Sequence, residues 1–397
     1  MPRPDEQLQA ELATTKWQLE ILYEISNAMR ATLKLDEILY IILTAVTAHA
    51  GLGFNRAMLF LLNPKTRELE GTMGIGPGSG EEAQAIWRAL DPARTTLDHL
   101  IAAYRQFRSD PSSRLDQLVR SMRLPLQEQA GVIALAALEG MPFEILTDDA
   151  RRALHDPLLD QLDLQRFVVA PLQAPASALG RPGQARDQVV GVLVADNRFT
   201  GKPITKEEVR LLMMLANQAG LAIENSRLYE QTLLRAKTDS LTQLWNHGAF
   251  QQLLSEELER ATRYHRELSL AILDLDNFKR YNDTAGHQAG DRLLVQVVQC
   301  IKEVARGLDQ VARYGGEEFA IIFPETPKAE AHQACERIRT RIVQEVKDEG
   351  QLGGLTISIG LASFPTDAAT KEALIYAADM ALLDAKRSGK NRTCLSG

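Results

Sequence analysis

Arg313-Tyr314-Gly315-Gly316-Glu317-Glu318-Phe319 is the stretch that decides how this chain reads. It lies between Asp309-Gln310-Val311-Ala312 and Ala320-Ile321-Ile322-Phe323. Both flanks read as β-strands, so the glycines fall at a hairpin turn. Glycine takes positive φ freely and lets another group approach the backbone closely. Two acids at such a turn can hold a hard cation, and bare backbone can face a phosphate. The competing reading is a plain hairpin with solvated acids, and only the rest of the chain separates the two.

Upstream of the hairpin, Leu268-Ser269-Leu270-Ala271-Ile272-Leu273 reads as a buried strand ending in Asp274-Leu275-Asp276. A carboxylate at the end of an apolar strand can point into a crevice. Asn277 to His287 follow, and then a helix opening near Gly290-Asp291, with Leu293, Leu294, Val297, Val298, Ile301 and Val304 on its apolar side. Asp291 at that first turn reads equally as a helix-end charge. Further upstream, Asp239-Ser240-Leu241-Thr242-Gln243-Leu244-Trp245-Asn246 precedes a helix that Asn246 caps, starting at about His247.

The first half has a different pattern. Residues from about 8 to 48 read as mostly helix, with Leu19, Leu22, Ile25, Met29 and Leu33 at three-four spacing. A strand follows at Arg56–Leu62, then a turn at Asn63-Pro64-Lys65-Thr66. The Gly74–Gly80 loop is glycine-rich but lacks the Lys-Ser/Thr ending of a P-loop, so a bland loop is expected. Residues 81 to 165 read as helical, the strands Phe167–Leu172 and Val189–Asp196 close the region, and Ala174 to Gln184 is a loop by composition. From Thr205 a long helix runs with Leu212, Leu215, Ala219, Ala222, Ser226, Tyr229, Leu233 and Ala236 at heptad spacing. Only Ser226 interrupts the apolar seam. The seam reads as a parallel two-helix stalk joining two subunits, or as an amphipathic helix on its own domain. Both hold if the helix packs first and then leaves the domain.

Bulk composition narrows the class. The chain has 397 residues, 45% hydrophobic and 24% charged, which predicts two globular domains. A net charge of −7 gives no electrostatic case for nucleic-acid binding. No apolar run reaches a membrane span, and the N-terminus lacks a secretory apolar region. Cys300, Cys335 and Cys394 are far apart, which argues against disulfides and zinc. A cytoplasmic protein without membrane insertion is expected.

Residues 20–228 resemble a GAF domain. The likeness rests on the opening helix, the strand Arg56–Leu62, Gly191-Val192-Leu193-Val194-Ala195-Asp196-Asn197, and the helix containing Leu215 to Asn225. GAF domains are α/β modules that bind small molecules or dimerise, so a small ligand of unknown identity is an open expectation. With no cysteine before Cys300, a covalently attached bilin is not expected.

Residues 232–394 resemble the GGDEF family of diguanylate cyclases. The likeness rests on five motifs in order: Asp239-x-Leu-Thr-x-Leu-x-Asn246, Asp274-x-Asp-x-Phe-Lys-x-x-Asn282, Gly286-His287-x-x-Gly290-Asp291, the signature turn, and Ala385-Lys386. The resemblance implies an α/β (α+β) architecture in which a ferredoxin-like, nucleotidyl-cyclase-type domain follows the GAF domain and the long helix. The segments expected are 1–18 (N-terminal helical), 19–204 (GAF), 205–237 (stalk) and 238–397 (GGDEF). It also implies condensation of two GTP into cyclic di-GMP and two pyrophosphates across a homodimer. Two Mg²⁺ per site, replaceable by Mn²⁺, would be held by Asp274, the Leu275 carbonyl, Glu317 and Glu318. Catalytic roles fall to Asp274, Glu317 and Glu318, with the choice of general base left open. Asn282 and Asp291 would read guanine, and Phe278, Lys279, Gly315, Gly316, Lys386 and Lys390 would contact the nucleotide. Lys390 stands where family members usually carry arginine; lysine keeps the charge but loses the planar fork, which predicts weaker triphosphate binding.

Arg306-Gly307-Leu308-Asp309 matches the family's Arg-x-x-Asp product-inhibition site, with Arg337 as its second arginine. Alternatives are a silent cyclic di-GMP receptor, a cyclase of other base specificity, and a pure interaction protein. Glu372-Ala373-Leu374 spells the signature of a phosphodiesterase family, but inside the cyclase-like region it reads as chance.

Overall fold

Residues 16, 20–48, 51–89, 113–175, 188–346 and 355–397 are described in a computed structural model. They form two compact units that divide between Glu230 and Gln231.

The first unit is organised by β1 (Arg56–Asn63), whose first six residues are all buried. A strand buried on both faces needs cover on both. β1 pairs antiparallel with β2 (Glu68–Ile75) and with β6 (Gln188–Asp196). With β3 (Arg123–Pro125), β4 (Phe143–Ile145) and β5 (Phe167–Ala174) the sheet order is β3-β2-β1-β6-β5-β4. One face packs on a helix at 20–30, on Leu35–Thr47 and on the first half of Lys206–Lys237. The other packs on Arg114–Ser121 and Val132–Glu139. A buried ion pair, Arg56 to Asp196, ties β1 to β6, and the same guanidinium donates to the Asp163 carbonyl.

Several expectations change here. Within residues 20–48 the opening region forms two helices, because residues 32–34 are not helical and Lys34, with extended backbone, leads into Leu35–Thr47; apart from Lys16, the expected N-terminal segment 1–18 lies outside the described residues. The 81–165 region holds β3 and β4 as well as helices. At three residues each they are too short to show strand periodicity in sequence. In the glycine-rich loop, the Gly78 amide donates to Glu82 at 2.7 Å, so the chain's own carboxylate takes that donor. The loop 176–184 lies outside the described residues.

The long helix spans Lys206–Lys237. Leu212, Leu215, Ala219 and Ser226 are buried in the first unit's own core, and the Ser226 hydroxyl donates to the Leu33 carbonyl at 2.7 Å. The first half of the proposed subunit seam therefore packs within its own domain. Tyr229 and Leu233 are exposed, as is Leu234, so the apolar character beyond Ser226 is unburied among the described residues.

In the second unit, β7 (Leu268–Asp276) is buried at all nine positions. It pairs antiparallel with β9 (Glu318–Pro324) and with β10 (Thr356–Phe364). With β8 (Gln310–Arg313) and β11 (Thr393–Leu395), the order is β11-β10-β7-β9-β8. Without the appended β11 this is the antiparallel ferredoxin-like order, β10-β7-β9-β8. Helices His287–Val304 and Lys328–Glu345 cover one face, and His247–Tyr264 and Lys371–Arg387 the other. Asn246 accepts from the Ala249 amide at 3.0 Å and caps the helix that opens at His247.

Candidate functional site

β7 and β9 pair so that Asp274 stands directly opposite Glu318. One residue further on, the Leu275 amide donates to the Glu317 carbonyl at 3.2 Å. The two carboxylates of the hairpin and the one at the strand end are thus joined by the sheet itself. Lys386, near the end of helix Lys371–Arg387, donates to Asp274 Oδ2 at 2.8 Å. Burial pushes the Asp274 carboxyl above the usual carboxylate range, and the nearby Asp276 charge adds to this, against the Lys386 ammonium. Burial also raises Glu317, and the charges of Asp274 and Glu318 add to it.

The hairpin is tight: the Tyr314 and Gly315 amides both donate to the Glu318 carbonyl, at 2.8 and 3.2 Å. Neither Gly315 nor Gly316 takes a positive φ, so conformational freedom is not why they are needed. A Cβ on Gly315 would lie 2.4 Å from Glu318 Oε2, whereas one on Gly316 would meet open space. Gly315 makes room for the Glu318 carboxylate. Arg313 braces the same turn, donating to the Gly316 carbonyl at 2.7 Å and to Asp239 Oδ1 at 3.0 Å. Burial raises Asp239, but hydrogen bonds from Thr242 and Arg313 outweigh it and hold the carboxyl below its usual value.

A second group gathers beside β7. Asn282 Oδ1 is buried without a hydrogen-bond partner. It points at Gly290, where a Cβ would lie 1.8 Å from that oxygen. Gly290 is therefore required for the Asn282 side chain to sit where it does. The helix starts at His287, earlier than its sequence suggests, because Gly286 adopts φ 85° and launches it. Asp291 accordingly lies beyond the first turn and is exposed, which weakens its reading as a helix-end charge. Phe278 is buried beneath Gly290, and Lys279 is exposed on the opening turn of helix Phe278–Ala285. Lys390 donates to Asn277 Oδ1 at 2.7 Å, just past the end of β7.

Arg306, Asp309 and Arg337 line one pocket with Phe323, Thr326 and Glu330. The Arg306 amide donates to Asp309 Oδ2 at 2.7 Å, and its guanidinium lies 3.8 Å from Glu330. Burial raises the Asp309 carboxyl against that amide and the Arg306 charge.

Among the described residues, no three His, Cys, Asp or Glu side chains form a ready-made metal cage. The donor set at the end of β7 is nonetheless hard oxygen, and Asp274 already attracts one cation, the Lys386 ammonium. That fits Mg²⁺, which commonly takes one or two carboxylates and completes its shell with substrate phosphates and water. Sequence reasoning gave no role to Arg313, Asp239 or Asp276. The Arg313–Asp239 pair joins residues 74 apart, which no local spacing reveals. The Asp274-x-Asp276 alternation, by contrast, does place both acids on one face of β7.

These folds and this carboxylate-bearing hairpin define a two-domain protein whose second half is a ferredoxin-like domain with a Gly-Gly-Glu-Glu-Phe signature. Residues 34–223 match the GAF domain family, and residues 236–392 match the family described as diguanylate cyclase, GGDEF domain. The chain carries a GAF domain followed by a GGDEF domain. It is 34% identical to diguanylate cyclase A of Treponema denticola over 54% of this chain and 58% of that protein. It is 36% identical to the cyclic di-GMP phosphodiesterase NbdA of Pseudomonas aeruginosa over 78% of this chain and 36% of that protein. The matched region therefore spans little more than half of the first relative and about a third of the second. The coiled coil and GGDEF domain of DgcB from Caulobacter crescentus, solved with c-di-GMP, matches at 34% identity and TM-score 0.42, covering 48% of this chain and 100% of that one. Among the described residues no helix is long and apolar enough to cross a membrane.

Proposed function

We propose that this chain is a diguanylate cyclase that joins two GTP into cyclic di-GMP with release of two pyrophosphates. The observation that carries the reading is the β7–β9 register, which sets Asp274 against Glu318 with Lys386 alongside. Asp274, the Leu275 carbonyl, Glu317 and Glu318 are the residues that would hold Mg²⁺ or Mn²⁺. When bound, the metal neutralises phosphate charge and lowers the pKa of the attacking 3′-hydroxyl. Lys386 and Lys390 offer ammonium groups to the triphosphate, with Lys279 on the adjacent turn. Gly316 presents bare backbone to it, and Gly315 keeps the Glu318 carboxylate in place.

Asn282 supports guanine recognition, because a buried carbonyl oxygen without a partner is costly unless a ligand supplies the donor. Guanine offers N1–H and an exocyclic amine, which the amide oxygen of Asn282 and the carboxylate of Asp291 can accept. One site of this kind holds one GTP, so a homodimer must bring two sites face to face. Such a transfer leaves little covalent chemistry to the protein itself and depends on positioning and charge neutralisation.

The pocket of Arg306, Asp309 and Arg337 suits a guanine edge and a phosphate, since arginine pairs bidentately with either. We assign product inhibition to it, and regulation of the two facing sites to the GAF domain. The test is incubation of the full chain with GTP and Mg²⁺, with products read by mass spectrometry and Glu318→Ala in parallel. Cyclic di-GMP from the wild type alone supports the reading. Binding of cyclic di-GMP without turnover would replace it with a receptor.

A further inference from the structure

Lys390 sits on an unusual piece of backbone. Gly389, Lys390 and Asn391 have φ values of 111°, 62° and 49° in succession. Left-handed conformations are disfavoured for residues with a Cβ, and lysine gains none of the local side-chain bonding that eases them for asparagine. Consecutive residues of this kind persist only where surrounding contacts over-determine them. Here the contacts are visible. The Lys390 amide donates to the Ala385 carbonyl at 3.0 Å, closing the loop onto its helix. The Asn391 amide donates to Asp276 Oδ2 at 3.1 Å, and Arg339 donates to Asn391 Oδ1 at 2.9 Å. Arg339 is itself fixed by a two-pronged contact with Glu336.

Asp276 is otherwise puzzling. It is 4% exposed, two residues from Asp274. Its oxygens accept from Thr356 at 2.6 Å, Ser358 at 2.8 Å and the Asn391 amide. With both oxygens engaged by the chain, Asp276 is occupied in structure rather than offered to a ligand.

We propose that Asp276 and Arg339 are positioning residues: together they clamp the Gly389–Arg392 loop and so hold Lys390 beside the Asp274 end of β7, where it meets the nucleotide phosphates. The proposal rests on the GTP reading of that site. It explains how a lysine serves at a position the family usually gives to arginine. A flexible four-carbon stem carries a point charge, so its base must be fixed if the charge is to be delivered to one place. Asparagine at 276 would preserve the clamp. Its carbonyl oxygen can accept from Thr356 and Asn391, and its amide can donate to the Ser358 hydroxyl. Alanine would abolish all three bonds.

Initial rates with GTP and Mg²⁺ on the full chain test this, using Asp276→Ala, Asp276→Asn, Arg339→Ala, Lys390→Ala and the Asp276→Ala/Lys390→Ala double variant. The expected result is a KM for GTP about tenfold higher in Asp276→Ala, the size of one lost charged hydrogen bond, with kcat within about twofold. Asp276→Asn should stay within about twofold of wild type. The double variant should be no more than about twofold worse than Lys390→Ala alone, because the clamp acts through that lysine. Amide hydrogen exchange across 389–392 should speed up in Asp276→Ala and not in Asp276→Asn. Should Asp276→Ala fail to fold, Arg339→Ala releases the loop from its other side and carries the same comparison.

Multiplicative losses in the double variant, or an Asp276→Asn whose kcat collapses, would overturn the proposal; the second outcome would make Asp276 a metal ligand. A wild type that turns over no GTP overturns the cyclase reading instead. Calorimetric GTP binding in Ca²⁺ then decides the clamp: an about tenfold weaker Asp276→Ala supports it, and equal affinities overturn it. No GTP binding at all overturns both.

Discussion

Asp274 is held at a cost that the proposed metal-holding role would explain. Its carboxyl is raised from 3.8 chiefly by burial, so the folded chain binds that proton more tightly than the unfolded chain does. The resulting stabilisation is fully present below the unfolded value and is lost as pH rises through the folded one. At neutral pH the ionised, metal-free carboxylate is therefore a net cost. Asp274→Asn should abolish turnover yet raise the melting temperature at pH 7 without Mg²⁺, and this gain should vanish near pH 3. A melting temperature that falls at both pH values would show that the Lys386 contact dominates. Activity has the corresponding sign. Asp274 and Glu317 are both raised, and to hold a metal as proposed both would have to be ionised, so kcat/KM should decline on the acid side at a pH above the ordinary carboxylate range. Raising Mg²⁺ should move that limb to lower pH, which a pH–rate series at two metal concentrations would read. The adjacent glycines should separate as well. Gly315→Ala drives a methyl into Glu318, and a displacement of about 1 Å at reacting groups can cost roughly a hundredfold in rate. Gly316→Ala meets no protein atom and should leave the fold unchanged, so its effect should appear in KM for GTP.

At the scale of elements, the signature hairpin is anchored to the segment that follows the long helix. The Asn246 side chain donates to the Ala236 carbonyl at 2.6 Å and its amide to Lys237, closing the helix end. Trp245 then pairs with β8, donating to Val311 and accepting from the Arg313 amide at 2.8 Å. Arg313 completes the connection from Asp239 to Gly316. Arg313→Ala should lower kcat/KM by about tenfold or more while circular dichroism stays unchanged, because it frees the turn without opening the core. Asp239→Asn should cost less, since Arg313 keeps its two bonds to Gly316. The hairpin, β7 and the Asn246 cap were legible because each is local: turn glycines, an apolar run, and a capping residue at a helix start. The break at Thr32–Lys34 and the three-residue strands β3 and β4 were not, because too few residues carry a period. The helix seam was half legible for another reason. Leu212, Leu215 and Ala219 show the same spacing whether they face a second helix or their own sheet, and only the fold distinguishes these. Ser226 reads differently in that light: its hydroxyl anchors the turn at Leu33 rather than interrupting a subunit contact. Ser226→Ala removes the hydrogen bond to the Leu33 carbonyl and should destabilise the GAF domain by about 0.5–1.5 kcal/mol, measurable by denaturant titration. Ser226→Pro would break the helix as well, by about 3 kcal/mol or more, and should uncouple the GAF domain from turnover.

For the whole molecule, the second site changes what a diguanylate cyclase would deliver. The pocket of Arg306, Asp309 and Arg337 is built from the end of helix His287–Val304, the turn before β8 and helix Lys328–Glu345. None of those side chains belongs to the carboxylate cluster at the end of β7, so binding there need not compete with GTP directly. Helix Lys328–Glu345 nonetheless contributes to both places, since Arg337 lines the pocket while Arg339 holds Asn391. If product fills the pocket, the chain sets a ceiling on its own output that does not depend on substrate supply. Arg306→Ala removes the side chain most available to a phosphate and guanine edge. Its backbone bond to Asp309 remains, so the turn should persist. Progress curves at saturating GTP should then stay linear where those of the wild type bend over, with equal initial rates. Added cyclic di-GMP should slow the wild type and leave Arg306→Ala and Arg337→Ala about tenfold less sensitive, the worth of one charged hydrogen bond. Equal curvature in all three would show that this pocket does not sense product, and that whatever limits the reaction acts at the GTP site itself.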